Sequence, residues 1–144
     1  MASAARLELV GYTSVVTISN SSTVADALKL AALPLITVVV ASPADEGHAM
    51  VSTLREAGMA AEAVAPGHFD ADVGLVGCDA VFTDGSFVNR RGTADLAARL
   101  MPRVVFVLAD PLRRLDHEAP DTWPEPDLFE IVPSAVNIRI LADD

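Results

Sequence analysis

The 144-residue sequence almost lacks cysteine and lysine, and Cys78 and Lys29 are the only examples. A single cysteine excludes an internal disulfide and a thiolate metal cluster, and it is typical of a reducing compartment. The remaining basic residues are arginines, acidic residues outnumber them, and the formal net charge is -10. Because such a chain lacks the basic footprint of a nucleic-acid-binding protein, nucleic acid is not an expected partner.

Long hydrophobic runs are also missing. No apolar run reaches the about 18 residues that a membrane-spanning helix needs, so no membrane association is expected. The first residues, MASAARLELVGY, lack the basic patch and long apolar stretch of a signal peptide. We therefore expect a cytoplasmic protein. Hydrophobic residues still make up 51% of the chain, enough for a real core, and the length suits one domain over residues 1–144.

The sequence does contain an alternation of short apolar runs with helical patterns. Strands are predicted at 14–18, 35–40, 59–64, 73–76, 103–108, 128–132 and 136–141. Helices are predicted at 24–33, 44–57 and 92–100. Strands that alternate with helices form parallel βαβ units. The order predicts an α/β fold with an open, mostly parallel, Rossmann-like sheet of about six strands and helices on both faces.

A first candidate site lies between the first predicted strand and the first predicted helix. Ligands bind at the carboxyl ends of strands in such sheets, and a helix N-terminus offers free N–H groups and a positive dipole end. The polar residues there form a candidate phosphate site: Ser19, Asn20, Ser21 and Ser22. Alternatively, one residue only caps the helix, and Thr23 with Asp26 resembles a capping box. The glycine signatures of dinucleotide and P-loop sites are absent, so no cofactor is predicted.

A second candidate site follows the strand predicted at 73–76. Asp79 comes directly after this strand, where a carboxyl with a raised pKa could move protons, or could instead accept backbone N–H bonds and stay ionised. Arg90 and Arg91 would either grip a phosphate or be solvated at a helix start. Asn89 would either cap that helix or bond a ligand hydroxyl.

The remaining residues that stand out in the sequence give weaker indications of function. Cys78 is expected to point to the side opposite Asp79 as a small core residue. The three histidines lack the spacing of metal ligands, so no metal site is predicted. Asp84-Gly85 is a strong turn signal. The proline-rich stretch 110–127 is predicted to be an excursion over the surface, either a lid or a partner contact.

Three stretches together resemble the initiation factor 2B family. Residues 76–93, VGCDAVFTDGSFVNRRGT, resemble the family's VG-[AC]-D…(N/D)-G…NK-x-GT signature. Residues 15–24, VVTISNSSTV, look like its ILTH-x-x-S-x-x-V stretch, and residues 128–140, LFEIVPSAVNIRI, look like its closing F-E-x-(T/V)-P-x-x-(V/I) segment. The family includes the alpha, beta and delta subunits of that translation factor. It also includes isomerases of methylthioribose-1-phosphate and ribose-1,5-bisphosphate.

The resemblance implies a Rossmann-like C-terminal domain without the family's N-terminal helical domain. It also implies that Asp79 stands at the catalytic aspartate of the isomerases, and that Ser19 stands at their catalytic cysteine, so that the thiol is lost. Asn89 and Arg90 correspond to the Asn-Lys pair that supports the ligand. The family's Glu-Ser-Arg-Pro segment is replaced by Ala-Ser-Pro at 41–43, without its arginine.

The resulting hypothesis is a non-catalytic initiation factor 2B-like protein. It would bind a sugar phosphate or a nucleotide, assemble as a homodimer, or do both. The loss of the thiol favours this hypothesis, since serine is a far poorer acid than cysteine at neutral pH. The alternative is an active aldose–ketose isomerase of a phosphorylated pentose, with Asp79 as the proton-transfer residue and Ser19 or a water assisting. A third hypothesis is an interaction domain in translation.

Overall fold

The computed structural model describes residues 2–41 and 44–142. Within them, helices α1 to α4 span Ala2–Leu9, Ser22–Ala31, Ala44–Glu56 and Thr93–Leu100. Strands β1 to β9 span Ser14–Ile18, Leu35–Val39, Ala61–Val64, Val73–Gly77, Ala80–Val81, Phe87–Arg90, Val105–Ala109, Phe129–Val132 and Ile138–Ala142. A short 3-10 turn covers Pro111–Arg113. No helix among these residues is both long and apolar enough to cross a membrane.

Six strands form one parallel sheet in the order β3-β2-β1-β4-β7-β9. The predicted open α/β sheet is therefore confirmed. The chain moves outward from β1 through β2 and β3, and then β4 returns to the other side of β1, where Val15 pairs with Val73. The strand order thus reverses between β1 and β4. Ligands bind at such a switch point in open α/β sheets.

Helices cover both faces of this sheet because successive side chains in a strand point to opposite sides. Val15, Ile36, Leu75 and Phe106 face the layer that contains α1, α2 and α3. Val16, Val76 and Val107 face α4, which contributes Leu96 and Leu100. Strand β7 is buried at all five positions, as expected for a strand covered on both faces. Helix α1 was not predicted from the sequence.

A second, antiparallel sheet of β5, β6 and β8 was not predicted. The strand expected at 128–132 exists as β8, but it pairs with β6 rather than with the main sheet. The predicted turn at Asp84-Gly85 joins β5 to β6, with Gly85 at a φ of 84°. A small core of Phe82, Val88 and Trp123 lies between this sheet and the stretch 110–127.

The start of α2 differs from the prediction. The helix begins at Ser22, and the Ser21 hydroxyl accepts a hydrogen bond from the backbone N–H of Val24 at 3.3 Å. The capping box predicted for Thr23 and Asp26 is therefore wrong. The phosphate-site and capping interpretations of this loop are not exclusive, because Ser21 caps while its neighbours remain exposed.

The start of α4 also corrects the sequence interpretation. Asn89 and Arg90 lie on β6, not at a helix start, and Asn89 does not cap α4. The Glu130 carboxylate caps it instead, accepting from the N–H groups of Gly92 at 2.7 Å and Ala94 at 3.3 Å. A carboxylate at this end also complements the helix dipole.

Candidate functional site

A polar pocket of about 310 Å³ opens at the carboxyl ends of β1 and β4. Every residue predicted for the two candidate sites, Arg91 apart, lines it: Ser19, Asn20, Ser21, Ser22, Asp79, Asn89 and Arg90. Two stretches that are about sixty residues apart in sequence therefore form one pocket. It lies at the switch point of the sheet, where this fold class binds ligands.

Ser19 connects β1 to the pocket loop through an unusual backbone conformation. Its φ is 62°, in the left-handed region that residues other than glycine rarely adopt. The residue is 8% exposed, so the surrounding structure holds it in this conformation. Backbone strain of this kind concentrates at functional sites. The turn directs the chain from the end of β1 to the Ser21 cap of α2.

The loop after β4 touches the loop after β1. A Cβ atom built on Gly77 would lie 3.1 Å from the Oγ of Ser21, closer than most real contacts of that kind. Glycine therefore permits the end of β4 to approach the start of α2. The α2 N-terminus and the residues Cys78 and Asp79 therefore line one pocket.

Asp79 lies at the mouth of the pocket. The residue as a whole is exposed, yet the pocket walls desolvate its carboxyl and raise its pKa, an effect that the charges of Arg113 and Arg90 oppose. The interpretation that Asp79 accepts backbone N–H bonds has no support among the described residues, since the only hydrogen bond there is donated by its own N–H to Val88. Its carboxylate faces the pocket without a fixed partner.

The raised pKa of Asp79 predicts a pH-dependent gain in stability for Asp79→Asn. A carboxyl with a raised pKa in the folded state costs stability as pH rises from its unfolded value, about 3.9, through the folded value. We expect Asp79→Asn to raise the urea midpoint at about pH 7 more than at about pH 3. Asp84→Asn should do the opposite, because hydrogen bonds from Ser86 lower the pKa of Asp84. Equal effects of Asp79→Asn at both pH values would contradict the prediction.

Cys78 does not point wholly away from the site, contrary to expectation. It packs against the core beside α4, but it also lines the pocket. Its thiol donates a hydrogen bond to the carbonyl oxygen of Leu108 at 3.5 Å. Burial, with the nearby charge of Asp79, raises the pKa of this thiol to about 12. The thiol therefore stays protonated at neutral pH.

Asn89 and Arg90 reach the pocket from β6. Asn89 is buried, and its Nδ2 donates to Thr93 Oγ1 at 3.1 Å. Arg90 forms an ion pair with Glu46, with Nη2 and Oε1 2.6 Å apart. Its guanidinium carbon also lies 4.4 Å from the centroid of the Phe129 ring. By contrast, Arg91 points elsewhere and donates to the carbonyl oxygens of Pro126 and Phe129.

Four further residues with charged or aromatic side chains line the pocket without having been predicted: Glu46, Asp110, Arg113 and Phe129. Asp110 and Arg113 belong to the turn that follows β7. The sequence signal that could have found them is their position directly after a buried strand, because ligands bind at the carboxyl ends of such strands. The same signal selected Asp79. Within residues 2–41 and 44–142, no cluster of three histidine, cysteine or acidic side chains is placed to hold a metal ion.

The parallel sheet with a polar pocket at its switch point defines the class of Rossmann-like α/β domains. Residues 1–120 match the model of the Initiation factor 2 subunit family, and the chain belongs to that family. The membership expected from the three sequence motifs is thereby confirmed. No curated protein matches the sequence at a significant level.

Several solved structures share this fold. Translation initiation factor eIF-2B from Pyrococcus horikoshii OT3 superimposes with a TM-score of 0.78 at 22% identity, covering 92% of this chain and 57% of that chain. The tetrameric eIF2B-beta2-delta2 complex from C. thermophilum gives 0.78 at 23% identity, covering 92% and 50%. The 5-methylthioribose 1-phosphate isomerase from Pyrococcus horikoshii OT3 gives 0.72 at 18% identity, covering 92% and 50%. The chain thus spans about half the length of these proteins.

Proposed function

We propose that this protein binds a phosphorylated small molecule, a sugar phosphate or a nucleotide, in the pocket between β1 and β4 and leaves it unchanged. The observation that carries the proposal is the composition of the pocket. A helix N-terminus and two arginines share it with carboxylates at the switch point of the sheet. Such a mixture suits a ligand that has a phosphate at one end and hydroxyls at the other.

The phosphate would lie against the start of α2. The first-turn N–H groups of a helix lack partners within the helix, and its dipole adds partial positive charge there. The exposed Ser22 and Asn20 side chains add hydrogen-bond donors. Arg90 and Arg113 line the same pocket and add full positive charges. Helix N–H groups and arginines together are well suited to phosphate.

The hydroxyls of the ligand would lie toward Asp79 and Asp110. Both residues line the pocket, and carboxylate oxygens accept hydrogen bonds from hydroxyls. These two charges, together with that of Glu46, would repel a second phosphate. A monophosphate, such as a pentose monophosphate or a nucleoside monophosphate, therefore fits the pocket better than a polyphosphate. Asp79 would contact the sugar, and Asn89 would position a hydroxyl.

Binding without turnover is supported by the lack of a thiol able to act beside Asp79 as a second proton carrier at neutral pH. An aldose–ketose isomerase needs groups that move protons at neutral pH. Ser19 offers only a hydroxyl at the position where the isomerases of this family have a thiol. The thiol that is present, Cys78, has a pKa of about 12 and is engaged with Leu108. Neither group supplies an efficient second proton carrier beside Asp79.

Thermal unfolding with a panel of ligands tests this proposal. A ligand that binds only the folded state, at a hundred times its Kd, stabilises the protein by about 2.7 kcal/mol. We expect ribose-5-phosphate or a nucleoside monophosphate to raise the unfolding temperature, and unphosphorylated ribose to leave it unchanged. If no phosphorylated compound in the panel shifts the transition, the proposal is wrong.

An active isomerase is the second candidate function. The observation that favours it is Asp79, whose raised pKa moves a pocket carboxyl toward the range useful for proton transfer. Conversion of ribose-5-phosphate to a ketose can be followed directly. Turnover that disappears in Asp79→Asn would establish this function, and the absence of turnover in the wild-type protein would exclude it for this substrate.

We further propose that the protein assembles as a homodimer in connection with translation initiation. The support is its family membership and the fold it shares with a solved tetrameric beta2-delta2 complex. Static light scattering tests the dimer, and a monomer mass across the accessible concentrations would contradict it.

A further inference from the structure

Arg90, which the proposed function assigns to the phosphate, already forms an ion pair with Glu46. Glu46 lies in the first turn of α3, 44 residues before Arg90 in sequence, and its carboxylate lines the pocket. Oε1 lies 2.6 Å from Nη2 of Arg90. The protein thus places an anion of its own on the arginine that faces the pocket.

Arg90 has other contacts that hold it in place. Its backbone belongs to β6 and pairs with Phe129 of β8. Its guanidinium lies over the ring of Phe129 at 4.4 Å, a cation–π contact. These contacts already hold Arg90 in position. The presence of Glu46 is therefore not explained by a need to orient Arg90.

The second terminal nitrogen of Arg90 is unsatisfied. Nη1 is buried, and it has no hydrogen-bond partner among the residues that the structure describes. A buried donor without a partner is unfavourable, and an acceptor that reaches it gains the full interaction. The guanidinium thus has one nitrogen on Glu46 and one that awaits an acceptor.

We propose that Glu46 is an internal competitor for the phosphate. Its carboxylate occupies Arg90 in the free protein, and the phosphate of the ligand displaces it. This inference rests on the proposed function and names how affinity at the same site is set. The exchange is non-covalent: one anion leaves the guanidinium and another takes its place.

Phosphate chemistry favours this exchange. Carboxylate and phosphate both bind guanidinium through the same planar fork, so the two anions exclude each other at Nη2. The side chains of Arg90 and Glu46 are 21% and 27% exposed, and partly exposed ion pairs contribute little net stability. A phosphate dianion carries more charge than the carboxylate and therefore attracts the guanidinium more strongly.

Calorimetric titration of ribose-5-phosphate and of inorganic phosphate into wild type and Glu46→Gln tests the proposal. Removal of the competing charge should tighten binding by about two- to fivefold, the upper part of the range of a partly exposed ion pair. Asp45→Asn is the matched control, because it removes the same charge from the same exposed helix turn one residue away. It should change the affinity by less than about twofold.

Each other outcome overturns the inference in a distinguishable way. If wild type binds and Glu46→Gln binds equally or more weakly, Glu46 is a positioning residue, and the proposed function stands without the competition. If Asp45→Asn tightens binding as much as Glu46→Gln, the effect is general electrostatics. If neither wild type nor Glu46→Gln binds either probe, the inference fails. The proposed function fails with it only if no phosphorylated compound in the thermal panel, nucleoside monophosphates included, shifts the unfolding transition.

Discussion

Replacement of Arg90 with alanine is expected to weaken binding of ribose-5-phosphate by about ten- to a hundredfold. A hydrogen bond to a charged group contributes about 1.5–3 kcal/mol, and each 1.4 kcal/mol is about tenfold in affinity. Arg90 lines the same pocket as the first residues of α2 and has an unsatisfied Nη1. The expected loss is measurable by calorimetry, and the ligand-induced thermal shift should shrink with it.

Two variants control for charge and for shape. Arg99→Ala removes the same charge from α4, where Arg99 forms an ion pair with Asp95 at 2.8 Å, and should leave binding unchanged. Arg90→Lys keeps the charge but loses the planar fork, and should give an intermediate affinity. Wild-type affinity in Arg90→Ala would place the phosphate elsewhere in the pocket, with Arg113 as its remaining cation.

Phe87→Ala is expected to lower the free energy of unfolding by about 3–5 kcal/mol, the usual cost of emptying a buried phenylalanine site. Phe87 is fully buried on β6, where it pairs with Val81 of β5 and Val132 of β8. It also belongs to the core beneath α4. Since whole domains are stable by about 5–15 kcal/mol, this loss would leave the protein close to unfolding.

Urea unfolding measures this loss, with two reference variants. Val136→Ala alters a side chain that is 92% exposed and should change stability by less than about 0.5 kcal/mol. Phe87→Leu retains most of the volume and stays measurable should Phe87→Ala fail to fold. A loss below about 1 kcal/mol for Phe87→Ala would mean that the second sheet contributes little to the cooperative core.

The central strands of the main sheet could be predicted because they are buried on both faces. Such strands are continuous apolar runs, as in LITVVV and RVVFVL, and they can be recognised without knowledge of their neighbours. The edge strand β9 has a different pattern, since the apolar residues at 136–140 alternate with Asn137 and Arg139. Helix ends were harder to predict, because the run of five polar residues at 19–23 offers several possible caps for α2 and the sequence does not rank them.

The second sheet could not be predicted because tertiary contacts override local polarity there. Asn89 and Arg90 are polar, yet both lie on a strand. Asn89 donates a hydrogen bond to Thr93, and Arg90 contacts Glu46 and Phe129. Strand β5 has only two residues, too few for any periodic pattern. The stretch therefore resembled a loop before a helix.

Only part of the candidate site was predicted. The pocket residues of the two candidate stretches were found, whereas Phe129 was overlooked although it lies in the closing motif, and Glu46 and Arg113 belong to no family motif. Glu46 is an ordinary acidic residue in the first turn of a helix, where such residues are common. Nothing in its neighbourhood indicates a partner 44 residues away.

Gly77 has a consequence for any redesign of this pocket. Its missing side chain sets the distance between the end of β4 and the cap of α2, since a Cβ there would meet Ser21 Oγ at 3.1 Å. One added methyl group would therefore disturb a helix start and narrow the pocket at once. Substitutions that aim to change ligand preference are best placed at the exposed residues Asn20 and Arg113. Gly77 should be retained, because it sets the spacing between β4 and α2 on which the shape of the pocket depends.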